Sequence, residues 1–263
     1  MNAKILLVIL ILTSSFPSKL LATATLGDDG FINASRQISR VLGLPGQIDY
    51  TRKEFRDPCK KNMHYNELKS ILLENINGCL ISEKYSIEIR LEANMIYVVG
   101  RYNITSMLYI IKFTEHGMMQ SVNYIKTVDS AKGESFGREC NISNLKNNNH
   151  YEKLYDKFEY ILKNNENASL ENSKICSLFG KMSIDEVLKH TTGRLKHLGL
   201  SNDMCFDIQF ETKRLYFSAW YVDQNDIKYN IGMLFTTSSN NSHIDIKCYQ
   251  SESTWHGPKK TKP

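Results

Sequence analysis

The chain of 263 residues is 41% hydrophobic, 23% charged and 10% aromatic, a globular composition that excludes a disordered tail protein. Its formal charge of +5 comes from the ends, with Lys4 and Lys19 near the start and Lys259, Lys260 and Lys262 at the finish, so residues 25–258 carry 28 basic against 28 acidic side chains. A neutral body has no stripe with which to displace counterions from phosphates, and nucleic acid is excluded as an expected partner despite a sequence pI near 8.7.

Residues 1–24 read as a secretory signal peptide: Lys4 gives a positive start, residues 5–12 are an aliphatic run, and Ala22-Thr23-Ala24 is a small-residue cleavage site. Ser14, Ser15, Pro17 and Lys19 interrupt the stretch, and a membrane span needs about 20 apolar residues. The expectation is an exported, extracellular chain beginning at Thr25 with no membrane span. Sequons at Asn33, Asn103, Asn141, Asn167 and Asn240 are then predicted glycosylation sites at the surface, because a glycan must stay in water.

Phe31, Ile38, Val41 and Leu42 mark a first amphipathic helix, and Tyr65, Leu68, Leu72 and Ile76 a second that stops at Gly78. Ile87, Ile89 and Leu91 then alternate with Glu88, Arg90 and Glu92 in the period of a strand, followed by further strand signals at Ile96-Tyr97, Ile110-Ile111 and Asn123-Tyr124. About 120 residues later the series recurs. Tyr151, Leu154, Tyr155, Phe158 and Ile161 form one helical stripe; Ile184, Val187, Leu188, Leu195 and Leu198 form another, opened by the capping box of Ser183 and Glu186 and stopped by Gly199. Phe206, Ile208 and Phe210 alternate with Asp207, Gln209 and Glu211 at an offset of 119, and strand signals near Gly232 and Ile244 repeat at 122 and 121. The predicted fold class is α+β: two tandem modules, residues 25–146 and 147–252, each with helices packed on a four-stranded antiparallel meander, then a basic tail at 253–263. Asn147, Asn148 and Asn149 form the polar boundary between them.

Six cysteines without a C-x-x-C pair predict three disulfides in an oxidising compartment rather than a zinc knuckle. Equivalent cysteines of repeated modules should pair alike, so the expected bridges are Cys59–Cys140, Cys176–Cys248 and, between modules, Cys79–Cys205. No HExxH, G-x-S-x-G, P-loop or dinucleotide-binding turn is present. His190 and His197 lie among Lys189, Arg194 and Lys196 and read as solvated or capping histidines. Trp255-His256-Gly257 matches a fragment of a secreted ribonuclease motif, but no second histidine segment completes a two-histidine mechanism. No catalytic residue, metal or cofactor is expected. Among the aromatics Tyr102, Trp220 and Tyr221 are predicted at a strand end, the first beside the Asn103 sequon, where they read either as interface contacts or as sheet packing.

A helix followed by a four-strand sheet, duplicated in a secreted disulfide-bonded glycoprotein, resembles the tandem cystatin-like proteins of the kininogen and fetuin type. Residues 96–100 are similar to the Q-x-V-x-G hairpin loop with which cystatins plug protease clefts: Val98 and Gly100 match, and Ile96 stands in place of the glutamine. The second half departs from the motif, with Leu215-Tyr216-Phe217-Ser218-Ala219. The resemblance implies an inhibitory loop at Val98 and Gly100 and an extracellular protease or other protein as partner. The alternative is a lipocalin-like carrier whose eight strands enclose a small hydrophobic ligand.

Overall fold

The strand signals at Ile87 and Phe206 belong to neighbours, and this fixes the architecture of the molecule. The computed structural model describes residues 29–43, 63–79, 81–128, 136–163, 171–199, 204–238 and 243–256. The signal segment, Cys59, Asn167, Asn240 and the last seven residues lie outside them. Among the described residues, five helices, α1 (Asp29–Val41), α2 (Tyr65–Asn75), α3 (Glu152–Leu162), α4 (Asn172–Phe179) and α5 (Ile184–His197), accompany nine strands. The strands are β1 (Tyr85–Leu91), β2 (Met95–Tyr102), β3 (Thr105–Phe113), β4 (Met119–Val128), β5 (Arg138–Cys140), β6 (Met204–Glu211), β7 (Arg214–Val222), β8 (Ile227–Thr237) and β9 (Ile244–Thr254). All nine form one antiparallel sheet in the order β4-β3-β2-β1-β6-β7-β8-β9-β5.

Two tandem cystatin-like modules with separate sheets are therefore not what the chain builds. Each half does fold as a four-strand meander, but β1 and β6 pair edge to edge and fuse the meanders into one sheet. Ile87 faces Phe210, Ile89 faces Ile208 and Leu91 faces Phe206. Because Ile89 and Ile208 are the residues related by the 119-residue repeat, the pairing is symmetric about them, and the repeat becomes a pseudo-twofold. The physical reason is that β1 and β6, each with a dry face, would otherwise be hydrophobic edges inviting foreign strands, and joining them removes both edges at once.

The helices cover one face. α1 lies over β1, β2 and β3, and α3 lies over β7 and β8. α2 and α5 meet across the pseudo-twofold, where the Lys69 ammonium donates to the Leu198 carbonyl at 2.8 Å and Lys196 pairs with Glu74. Ile38, Ile89, Val98, Tyr109, Leu154, Phe158, Val187, Leu188, Phe206 and Phe235 are wholly buried in the continuous core between these layers. Each such side chain contributes about 1.5–3 kcal/mol of burial. β5, which precedes the boundary at residue 146, pairs with β9 on the far edge of the second half. Among the described residues no helix is long and apolar enough to cross a membrane.

Candidate functional site

Val98 and Gly100 do not sit on a hairpin tip. Both lie inside β2, where Val98 is wholly buried and a side chain on Gly100 would meet the Ala34 carbonyl of α1 at 2.2 Å. The glycine allows helix and strand backbones to touch, so the inhibitory-loop reading of residues 96–100 is corrected to a packing role. Trp220 and Tyr221 are 2% and 9% exposed in β7, so they offer little surface to a partner. Tyr221 donates its hydroxyl to the His150 carbonyl at 2.7 Å and stacks on Tyr229. Tyr102 is half-buried against Tyr85, with ring centroids 4.8 Å apart.

Trp220 belongs instead to a polar cluster on the sheet face opposite the helices, centred on the β1–β6 seam. Arg90 and Asp207 are register partners across that seam, and the Arg90 Nε donates to Asp207 Oδ1 at 2.6 Å. The buried Trp220 indole N–H donates to Asp207 Oδ2 at 2.8 Å. Arg90 lies 5.7 Å from the Tyr97 ring centre and Lys228 lies 4.1 Å from that of Trp220, while Trp255 packs on Trp220 at 5.2 Å. Burial acts most strongly against the Arg90 charge, but the carboxylates of Asp207, Glu88 and Glu92 together outweigh it and the guanidinium pKa is raised. At Lys228 burial prevails, over the attraction of Asp207, and lowers its pKa. Glu88, next along β1, is raised by burial in spite of Arg101 at 3.2 Å. These charges satisfy one another, and the cluster ties the two halves together. Among the described residues no group of three or more His, Cys, Asp or Glu is arranged to hold a metal ion.

An exposed apolar strand lies at the opposite end of the sheet from β5. β4 has ten residues and a mostly exposed pattern; its outer edge is met at the start, where the Met119 amide donates to the Met63 carbonyl at 3.1 Å beside the His64–Met118 bridge, and among the described residues no strand pairs with the rest of it. Tyr124, Ile125 and Val128 are 37%, 45% and 52% exposed, and Ile104 in the adjoining turn is 48% exposed. Lys126 is the strand's one charged residue. The β2–β3 turn is made by Asn103, held at φ 52, and Ile104, and it ends beside β4 because Thr105 pairs with Val128. The sequence contained this signal as exposed Ile and Tyr on a strand, but periodicity alone does not say which strand ends up at an edge.

Of the predicted glycosylation sites, Asn103 and Asn141 are exposed. Asn141 accepts from the Ser143 amide and hydroxyl of its own sequon, at 3.1 and 2.8 Å, and caps a short 3-10 turn. Asn33 is half-buried in α1, and Ser35 of its sequon is wholly buried.

The cysteines depart from the expected pairing. Cys140 on β5 and Cys248 on β9 are direct cross-strand partners with sulfurs 3.0 Å apart, although the repeat assigns them to different bridges. Cys79 ends the turn after α2 on the helix side, whereas Cys205, two residues before Asp207 on β6, shares its face away from the helices, so the sheet separates the two. Cys176 is exposed on α4. The repeat argument fails here because β5 sits outside the meander of the half that precedes it, and Cys140 and Cys248 are not equivalent positions.

No protein-family model matches the chain, and no curated protein matches it. Among solved structures, a dehydratase domain from the CurJ module of curacin polyketide synthase aligns with 72% of this chain and 81% of its own, at 11% identity and a TM-score of 0.24. At that score the alignment carries no inference about fold or chemistry.

Proposed function

We propose that this chain is a secreted, N-glycosylated, disulfide-stabilised binding protein that docks an extended segment of an extracellular protein along β4. The observation that carries the reading is the contrast between the two ends of the sheet. The β9 edge is covered by β5 over Cys248, Tyr249 and Gln250, while β4 presents ten residues with apolar side chains on both faces and one charge. The devices that discourage strand addition are sparse here: β4 has no proline, a single lysine at Lys126 and one register irregularity near its start, opposite Lys112 and Phe113. Its outward backbone groups supply the hydrogen bonds of β-augmentation, and Tyr124, Ile125 and Val128 supply side-chain contact. The neutral body fits a protein partner better than nucleic acid. The leader-like first 24 residues and the five sequons support export.

The test is capture of partners from extracellular fluid on the glycosylated protein, followed by solution binding of each partner to variants. Ile125→Lys and Val128→Lys change exposed side chains and should leave stability within about 0.5 kcal/mol. The expected result is at least a tenfold loss of affinity with these changes, no loss with Lys247→Ala on β9, and protection of β4 amides from exchange in the complex. A partner indifferent to the β4 changes, no partner at all, or a β4-dependent dimer in sedimentation would overturn the reading; the dimer would give the edge to a second copy of this chain.

A further inference from the structure

We propose that Cys140 and Cys248 form a cross-strand disulfide that staples β5 over the edge of β9. β5 pairs at Arg138–Gln250, Glu139–Tyr249 and Cys140–Cys248, and three residues of ladder are too few to hold a strand by themselves. The segment before it is shaped to lie close. Gly137 has φ 89, and any side chain there would meet the Gln250 carbonyl at 2.5 Å. Phe136 packs between Tyr216 and Tyr249, at 4.8 and 5.4 Å, with the Arg214 guanidinium 5.6 Å from its ring centre. Glu139 and Lys247 pair at 3.2 Å. These contacts deliver the two sulfurs to 3.0 Å. Directly opposed residues of an antiparallel pair have Cα atoms about 4.5–5.5 Å apart, inside the range a disulfide bridges.

The two thiols are not equivalent. Cys248 is 4% exposed and Cys140 half-buried, and their mutual hydrogen bond lowers the pKa of Cys140 and raises that of Cys248. Cys140 is the attacking thiolate. It displaces one thiolate from a small-molecule or protein disulfide to form a mixed disulfide; Cys248 then loses its proton and displaces the second thiolate. Two protein thiols are oxidised by two electrons, and the oxidant leaves as two thiols. In the cell this rests on the export proposed above; the bond itself does not, because glutathione disulfide supplies the same oxidant in a test tube.

The full chain, reduced and then equilibrated in a glutathione thiol–disulfide buffer, is alkylated and mapped by proteolysis without reduction. The inference expects a linked peptide pair containing Cys140 and Cys248. Peptides linking Cys59 to Cys140 or Cys176 to Cys248, or both thiols recovered alkylated, would overturn it. The Cys140→Ser, Cys248→Ser double variant should melt roughly 10 °C below the oxidised chain, the loop between the cysteines being over a hundred residues long, and should expose β9 amides to faster exchange. An unchanged melting temperature with unchanged exchange would contradict the staple. If the linked pair forms in vitro while β4 variants bind as wild type does, the bridge stands and the binding proposal falls.

Discussion

Gly100 shows how one missing side chain sets the distance between two layers. A methyl group there would overlap the Ala34 carbonyl and reach the Ile38 side chain at 2.9 Å, and α1 has to move outward to admit it. Gly100→Ala is expected to cost about 1–3 kcal/mol, read as a lower urea midpoint, whereas Gly193→Ala on the exposed side of α5, with nothing within 4 Å, should raise stability by up to about 1 kcal/mol. Equal effects would contradict the packing given for α1. His190 carries a second residue-scale prediction. Its Nε2 is buried without a partner among the described residues, its ring packs edge-on against Phe179 at 5.2 Å, and burial, helped by Arg194, holds its pKa below the ordinary 6.5. Below about pH 6.5 the unfolded chain binds a proton that the folded chain resists, so stability is lost as pH falls through that value. Between about pH 7 and pH 5 the urea midpoint of the wild type should fall more than that of His190→Phe; parallel curves would contradict the assignment.

At the level of elements, the seam between β1 and β6 is held by Asp207, which serves both Arg90 and the Trp220 indole. Asp207→Ala leaves the indole N–H buried without an acceptor and Arg90 without its carboxylate. The expected loss is about 3 kcal/mol with an unchanged denaturant slope. A loss under about 0.5 kcal/mol would show that apolar pairing at Ile87, Ile89 and Leu91 holds the seam alone. The sequence made these strands legible because their alternation is strict. It also made the capping box legible, and the structure has Ser183 and Glu186 making both reciprocal bonds at the start of α5. Register was harder to read. Tyr97 pairs with Ile110 and Tyr216 with Leu234, so Ile110 corresponds to Leu234 rather than to Gly232. On β4 the same register makes Val122 the equivalent of Ile246, and Asn123 that of Lys247 rather than Ile244. The two-residue slip on β3 is hidden because a strand's period of two resembles itself at an even shift; the three-residue slip on β4 exchanges the faces, so the likeness of residues 123–126 to 244–247 is one of composition and not of position. Gly100 illustrates the other limit: a glycine between valine and arginine reads equally as a loop tip or as the place where a helix backbone lies on a strand.

For the whole molecule, the duplication was visible as a repeat, but its consequence was not. Nothing local in the strand starting at Tyr85 states that its free edge meets the strand starting at Met204; that follows only when both dry faces must be buried together and both edges removed. Among the described residues the sheet ends at one side in β5, paired over three residues of β9, and at the other in β4 with no strand beyond it, and the proposed docking is placed at β4. Native-state hydrogen exchange, resolved to single strands, tests this most directly. The account predicts that β1 and β6 amides exchange slowest, near the global unfolding limit, that β9 is protected under β5, and that the outer amides of β4 exchange orders of magnitude faster. If β1 and β6 exchanged like edge strands, or β4 were as protected as β9, the single sheet with one open edge would be wrong.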